Sequence, residues 1–129
     1  MESRLLTVAA VVECIAGLAV FVLPGPIIAL LLGAEPHVQG EMIGRIAGVA
    51  LMALGVACAG AAVDTGGAAR TATLGAIALY NAGAGALLLL FAATGNAIGP
   101  VVWVVGALHA FGGVLGFNAV IRRRAHRLA

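Results

Sequence analysis

A glutamate, an asparagine and a histidine each stand near the middle of an otherwise apolar run. Glu13 lies within 5–23, Asn81 within 71–94 and His109 within 99–121. Charged and strongly hydrogen-bonding groups are expensive in hydrocarbon, so at such positions they need a partner or a task. A carboxyl and an imidazole can each take up and release a proton, and an amide both donates and accepts. Held together, the three could pass a proton, bind a cation, or grip the carbonyl or hydroxyl of a lipophilic molecule such as a quinone. The plainest alternative is an interhelical hydrogen-bond staple that joins spans without any ligand.

The elements that must hold these groups follow from composition. The chain has 129 residues, 63% of them hydrophobic and 9% charged. A soluble domain would carry about a quarter charged residues. Apolar runs near 20 residues match a hydrocarbon layer of roughly 30 Å. Four such runs, at about 5–23, 41–63, 71–94 and 99–121, give one transmembrane domain over 1–129. The expected fold is all-α, an integral membrane antiparallel four-helix bundle. Pro24-Gly25-Pro26 should break the first helix, because the rings clash and lack donors. Residues 24–33 then read as a Pro break followed by a short interfacial segment. Glu13 inside the first run, and no small-x-small cleavage site after it, argue for a span rather than a signal peptide.

Arginine placement sets the expected orientation. Arg4 precedes the first run, Arg70 lies between the second and third, and Arg122, Arg123, Arg124 and Arg127 follow the fourth. The connections 33–40 and 95–98 hold no Lys or Arg. The positive-inside bias puts both termini and the 64–70 loop in the cytoplasm. The expected location is a bacterial-type inner (plasma) membrane. The partner is the lipid bilayer, with the basic tail touching anionic lipid. No nucleic acid is expected, since no aromatic interleaving or recognisable module accompanies the basic residues.

Depth brings the three polar groups together. Counting inward from the cytoplasmic face, Glu13, Asn81 and His109 lie about 13, 16 and 18 Å deep. Their helix faces agree. Ala9, Ala10, Ala16 and Gly17 flank Glu13, Ile77, Ala78, Ala84 and Gly85 flank Asn81, and Val105, Gly106, Gly112 and Gly113 flank His109, so each face is mostly small. Residues three and four apart share a face, and small faces meet other helices rather than lipid. Tyr80 adjoins Asn81 but points about 100° away along the helix.

Other residues carry less chemistry. Gly40, Gly44 and Gly48, then Gly55 and Ala59, repeat a small-xxx-small pattern that permits close helix approach. Such faces suit packing within the chain, a homo-oligomer, or docking on a larger membrane complex. Arg45 could form an outer-face ion pair with Glu41, one turn earlier, or with Glu35. Cys14 and Cys58 differ in depth by more than a disulfide spans and read as packing residues. His37 and His126 fall outside the spans, so only His109 is placed to ligate inside the membrane. No metal quartet, phosphate loop or nucleophile elbow is present. The site reading is therefore ligand- or proton-binding at Glu13, Asn81 and His109, with no catalytic residue and no metal.

Two family resemblances bear on function. The stretch from Pro24 through Leu32-Gly33 to Gly44-Arg45-Ile46-Ala47-Gly48, followed by a glycine-rich span, resembles the DoxX-like small four-helix bacterial membrane proteins. That resemblance implies a non-enzymatic accessory or lipophilic-ligand role, with quinone or lipid as the molecule bound. Glu13 in Val11-Val12-Glu13-Cys14-Ile15 is similar to the mid-helix glutamate of the small multidrug resistance family. Tyr80-Asn81-Ala82-Gly83-Ala84-Gly85 loosely resembles the aromatic-small-glycine stretch of its third span. This chain has no lysine to match that family's, few aromatic residues and an additional His109. This second resemblance implies a proton-coupled exporter of small solutes or drugs centred on Glu13.

Overall fold

A computed structural model describes residues 2–65, 67–96 and 99–128, the side chains of 126–128 excepted. Gly66 of the 64–70 loop, and Ala97 and Ile98 of the 95–98 connection, lie outside the described residues, as does the His126 side chain. The described residues form five α-helices and no strand: α1 Glu2–Val22, α2 Pro24–Leu32, α3 Val38–Val63, α4 Ala68–Ala93 and α5 Val102–Leu128. Four of them are long and apolar enough to cross a membrane. An apolar surround offers the backbone no water, so each segment must close its hydrogen bonds internally, and the helix does that.

The proline break is narrower than the sequence implies. Only Leu23, at φ −125° and ψ 56°, leaves the helical region before α2 begins at Pro24. Proline has its φ fixed near the helical value and its missing donor costs nothing in a first turn. The two prolines that end α1 therefore start α2. Gly33 closes α2 in the left-handed region, at φ 78°, with its N–H donating to Ala29 O at 2.8 Å. A residue without Cβ adopts that conformation at little cost. At the other end of the chain, α5 begins at Val102 and continues through the arginines, beyond the 99–121 expected for the last span. Arginine is a good helix former, so nothing stops the helix where the apolar run stops.

The long helices associate as two antiparallel pairs. In the first, Ser3 Oγ donates to Ala62 O at 2.9 Å near one end of α1 and α3. Farther along, a Cβ added to Gly48 would stand 2.6 Å from Gly17 O, and one added to Gly17 would stand 2.6 Å from Gly48 O. The backbones touch because neither residue has a side chain. In the second pair, Arg123 Nε donates to Thr71 Oγ1 at 2.9 Å. A Cβ on Gly85 would meet Ala110 N at 2.6 Å, and one on Gly113 would meet Ala82 N at 2.9 Å.

Contacts between the pairs concentrate at the end that carries the termini. Leu6 and Ala10 of α1, Cys58 and Ala61 of α3, Leu74 and Ile77 of α4, and Ala119 of α5 form one buried cluster there. Arg123 also forms an ion pair with Glu2 that links the last long helix to the first. Arg70 donates to Ala61 O at 2.9 Å and to Ala62 O at 2.8 Å, capping the last turn of α3. Those carbonyls have no intrahelical donor and are natural acceptors for a cation. Toward the opposite end the pairs separate, and α2 lies across the gap. Val101 N–H donates to Leu30 O at 3.4 Å, and the missing Cβ of Gly99 admits the backbone of Leu30 and Leu31.

Candidate functional site

The space between the separated pairs is a cavity of about 640 Å³. Side chains of α1, α2, α4 and α5, with Leu51 of α3 and Val101 just before α5, line it, and nearly all are apolar. Four residues are not: Glu13, Tyr80, Asn81 and His109. Their placement follows from the closed core. Glu13 stands one turn beyond Ala10, and Asn81 one turn beyond Ile77. The polar groups thus form a floor where side-chain packing between the pairs ends. Val12, Leu87 and Leu108 line the cavity yet remain largely exposed, so it opens sideways onto the apolar surface.

His109 and Asn81 are directly joined, His109 Nδ1 to Asn81 Oδ1 at 2.9 Å. Asn81 Nδ2 is already committed, donating to Ile77 O at 3.0 Å. The amide oxygen must therefore face the ring, and Nδ1 carries the hydrogen of this bond. That assignment leaves Nε2 of the neutral ring as an acceptor. Glycine permits the approach: a Cβ on Gly112 would lie 2.8 Å from Asn81 Oδ1. Tyr80 packs its ring edge-on to His109, at 5.6 Å between centroids and 89° between planes.

Glu13 stands apart from this pair. It lines the same cavity from α1 and is 4% exposed. Its carboxyl makes no hydrogen bond or ion pair among the described residues, although it lies within electrostatic reach of Tyr80 and Cys58. The three expected groups line one cavity, in which Asn81 and His109 form a bonded pair while the Glu13 carboxyl on α1 has no hydrogen bond to either. Equal depth places groups in one slab, but rotation and the spacing between pairs decide whether they touch.

The unpartnered atoms are not sealed. Among the described residues, no buried side-chain nitrogen or oxygen lacks a partner. The Glu13 oxygens, the Tyr80 hydroxyl and His109 Nε2, none with a hydrogen bond, therefore keep access to the cavity they line. A carboxyl, a phenol and an imidazole nitrogen together offer donors and acceptors to one small polar group. The apolar walls would bury its hydrocarbon.

Arg45 and Glu41 do not pair. Arg45 Nη1 donates to Phe21 O at 2.8 Å, a carbonyl in the last turn of α1. Glu41 turns to the start of α2, where its Oε1 lies 3.3 Å from the position a Cβ on Gly25 would take. A carboxylate is favoured at the positive end of a helix, and a guanidinium at a C-terminal carbonyl. Each helix terminus thus outbids the charge four residues away. Sequence reasoning left Tyr80 undecided. Its being the only tyrosine, beside a mid-span asparagine, is the signal that pointed to it.

The chain matches no family model, no curated protein and no solved structure.

Proposed function

We propose that this is a non-enzymatic multi-pass protein of a bacterial-type plasma membrane, a four-helix bundle with both termini cytoplasmic. Its mid-span cavity binds a lipophilic molecule bearing a carbonyl or hydroxyl group, a quinone or a lipid. One observation carries this reading: an apolar cavity of about 640 Å³ with unpartnered polar atoms gathered at its floor. That volume falls within the range of small-molecule sites, roughly 300–1,000 Å³, and the polar-to-apolar arrangement is theirs too. His109 Nε2 accepts from a hydroxyl, the Tyr80 hydroxyl donates to a carbonyl, and the Asn81 bond holds the imidazole in place. A DoxX-like accessory role fits this chemistry.

The test is extraction. Purified in mild detergent, the protein should carry bound quinone or lipid, identified by mass spectrometry of an organic extract. His109→Ala should lose it. A preparation with no such molecule would overturn the reading. If His109→Ala and Glu13→Gln each lower only the thermal stability in detergent, the polar groups are a structural staple.

Glu13 favours one further reading. A lone carboxyl facing a cavity between two separable helix pairs has the parts of a proton-coupled exporter of small solutes or drugs. In that case Glu13→Gln abolishes substrate-driven proton release in proteoliposomes. Unchanged release excludes the carrier role.

A further inference from the structure

A second, smaller cavity lies between α1 and α5 at the end that carries the termini. It measures about 310 Å³ and is lined by Leu5, Val8, Leu115 and Ala119 together with Glu2 and Arg4. The charges there are unequal. Glu2 is taken by Arg123, whose Nε is also bonded to Thr71. Arg4 makes no hydrogen bond or ion pair among the described residues, and neither does the exposed Arg122. Arg122 follows Ala119 by three positions and so continues the face that Leu115 and Ala119 present. The apolar groove is thus lined by one unpaired guanidinium, Arg4, with Arg122 on the same face of α5 as Ala119, while the only carboxylate lining it is neutralised.

We propose that this groove holds one anionic phospholipid, its acyl chain against Leu5, Val8 and Leu115 and its phosphate between Arg4 and Arg122. Guanidinium groups grip phosphate oxygens in pairs, and an acyl chain supplies the apolar filling that no protein side chain gives here. The site is separate from the mid-span cavity, since the two share no lining residue. Charge complementarity selects the occupant. A zwitterionic lipid brings its own cation to a groove that is already positive.

The experiment is native mass spectrometry of the full chain, titrated in detergent with phosphatidylglycerol or phosphatidylcholine. One phosphatidylglycerol should stay bound where phosphatidylcholine is shed. Arg4→Gln should weaken retention about fivefold, from the usual worth of one arginine near anionic lipid, and adding Arg122→Gln should weaken it further. Leu115→Trp fills the groove without touching any charge and should also abolish retention. Equal retention of the two lipids overturns the proposal. So does a double arginine variant that holds phosphatidylglycerol as tightly as the parent. Loss of the lipid in Ala84→Leu, which alters only the mid-span cavity, would move the binding there and overturn it too.

Discussion

At the end bearing both termini, Leu6, Cys58, Leu74 and Ala119 close all four long helices onto one another. At the end bearing α2, the same two pairs stand apart around a cavity. Within each pair the association continues along both regions, because Gly17 meets Gly48 and Gly85 meets Ala110 with no side chain between. What differs is the contact between pairs. Backbone-to-backbone approach needs only small residues and is hard to interrupt, whereas contact between the pairs depends on larger side chains meeting. Where those side chains stop meeting, polar groups can be lodged without being sealed.

The largest expected effect breaks a pair rather than the join between pairs. Gly48→Leu drives a side chain into the Gly17 carbonyl and the Phe21 backbone, and neither can yield. It should cost about 3 kcal/mol or more, at the upper end of overpacking effects, or prevent folding, as read by thermal unfolding in detergent. Gly83→Ala is the control. A Cβ there meets nothing within 4 Å. That variant should be neutral or gain up to about 1 kcal/mol from helix propensity.

Next in size is Arg123→Ala. It removes the Glu2 ion pair and the Thr71 hydrogen bond, and leaves a partly buried carboxylate alone. A loss of about 1–2 kcal/mol is expected, less than for a fully buried pair because both side chains keep some exposure. A silent variant would show that the termini do not hold the closed end.

Ala84→Leu sharpens the contrast from the open side. It adds volume inside the cavity and should leave thermal stability nearly unchanged. Retention of the extracted lipophilic molecule should fall about tenfold, because the added methyl groups occupy its space. A large stability loss instead would mean the region is closely packed. The smallest effect is reserved for Asn81→Leu. Interhelical hydrogen bonds in membrane proteins average about 0.6 kcal/mol, so the unfolding midpoint should shift only slightly. Ligand retention should suffer more, since His109 loses the bond that orients it.

Much of this arrangement could be read before any coordinates. The four spans follow from apolar runs that hydrocarbon makes both necessary and visible. The shared level of Asn81 and His109 was legible from their positions, and the structure adds that the two are bonded beside Gly112. The isolation of Glu13 was not. Counting residues gives height along a helix, but not which helix faces which, and here α1 pairs with α3. The partners of Arg45 and Glu41 were hidden for a related reason. Sequence spacing favoured a neighbour one turn away, while the helix ends that compete for those charges belong to elements whose positions only the fold sets. The roofing role of α2 was likewise invisible. A Pro-Gly-Pro break says where a helix ends, but not that the next nine residues will reach Gly99 and Val101.

The Glu2–Arg123 clasp joins positions 121 apart. A chain emerging from the ribosome supplies Glu2 well before Arg123, with three long helices made in between. The tie can close only once Arg123 has been made. Until then α1 and α3 exist as a half-site with the Glu13 wall uncovered. Biogenesis must shelter that carboxyl, or keep it uncharged, for as long as the second half takes to arrive.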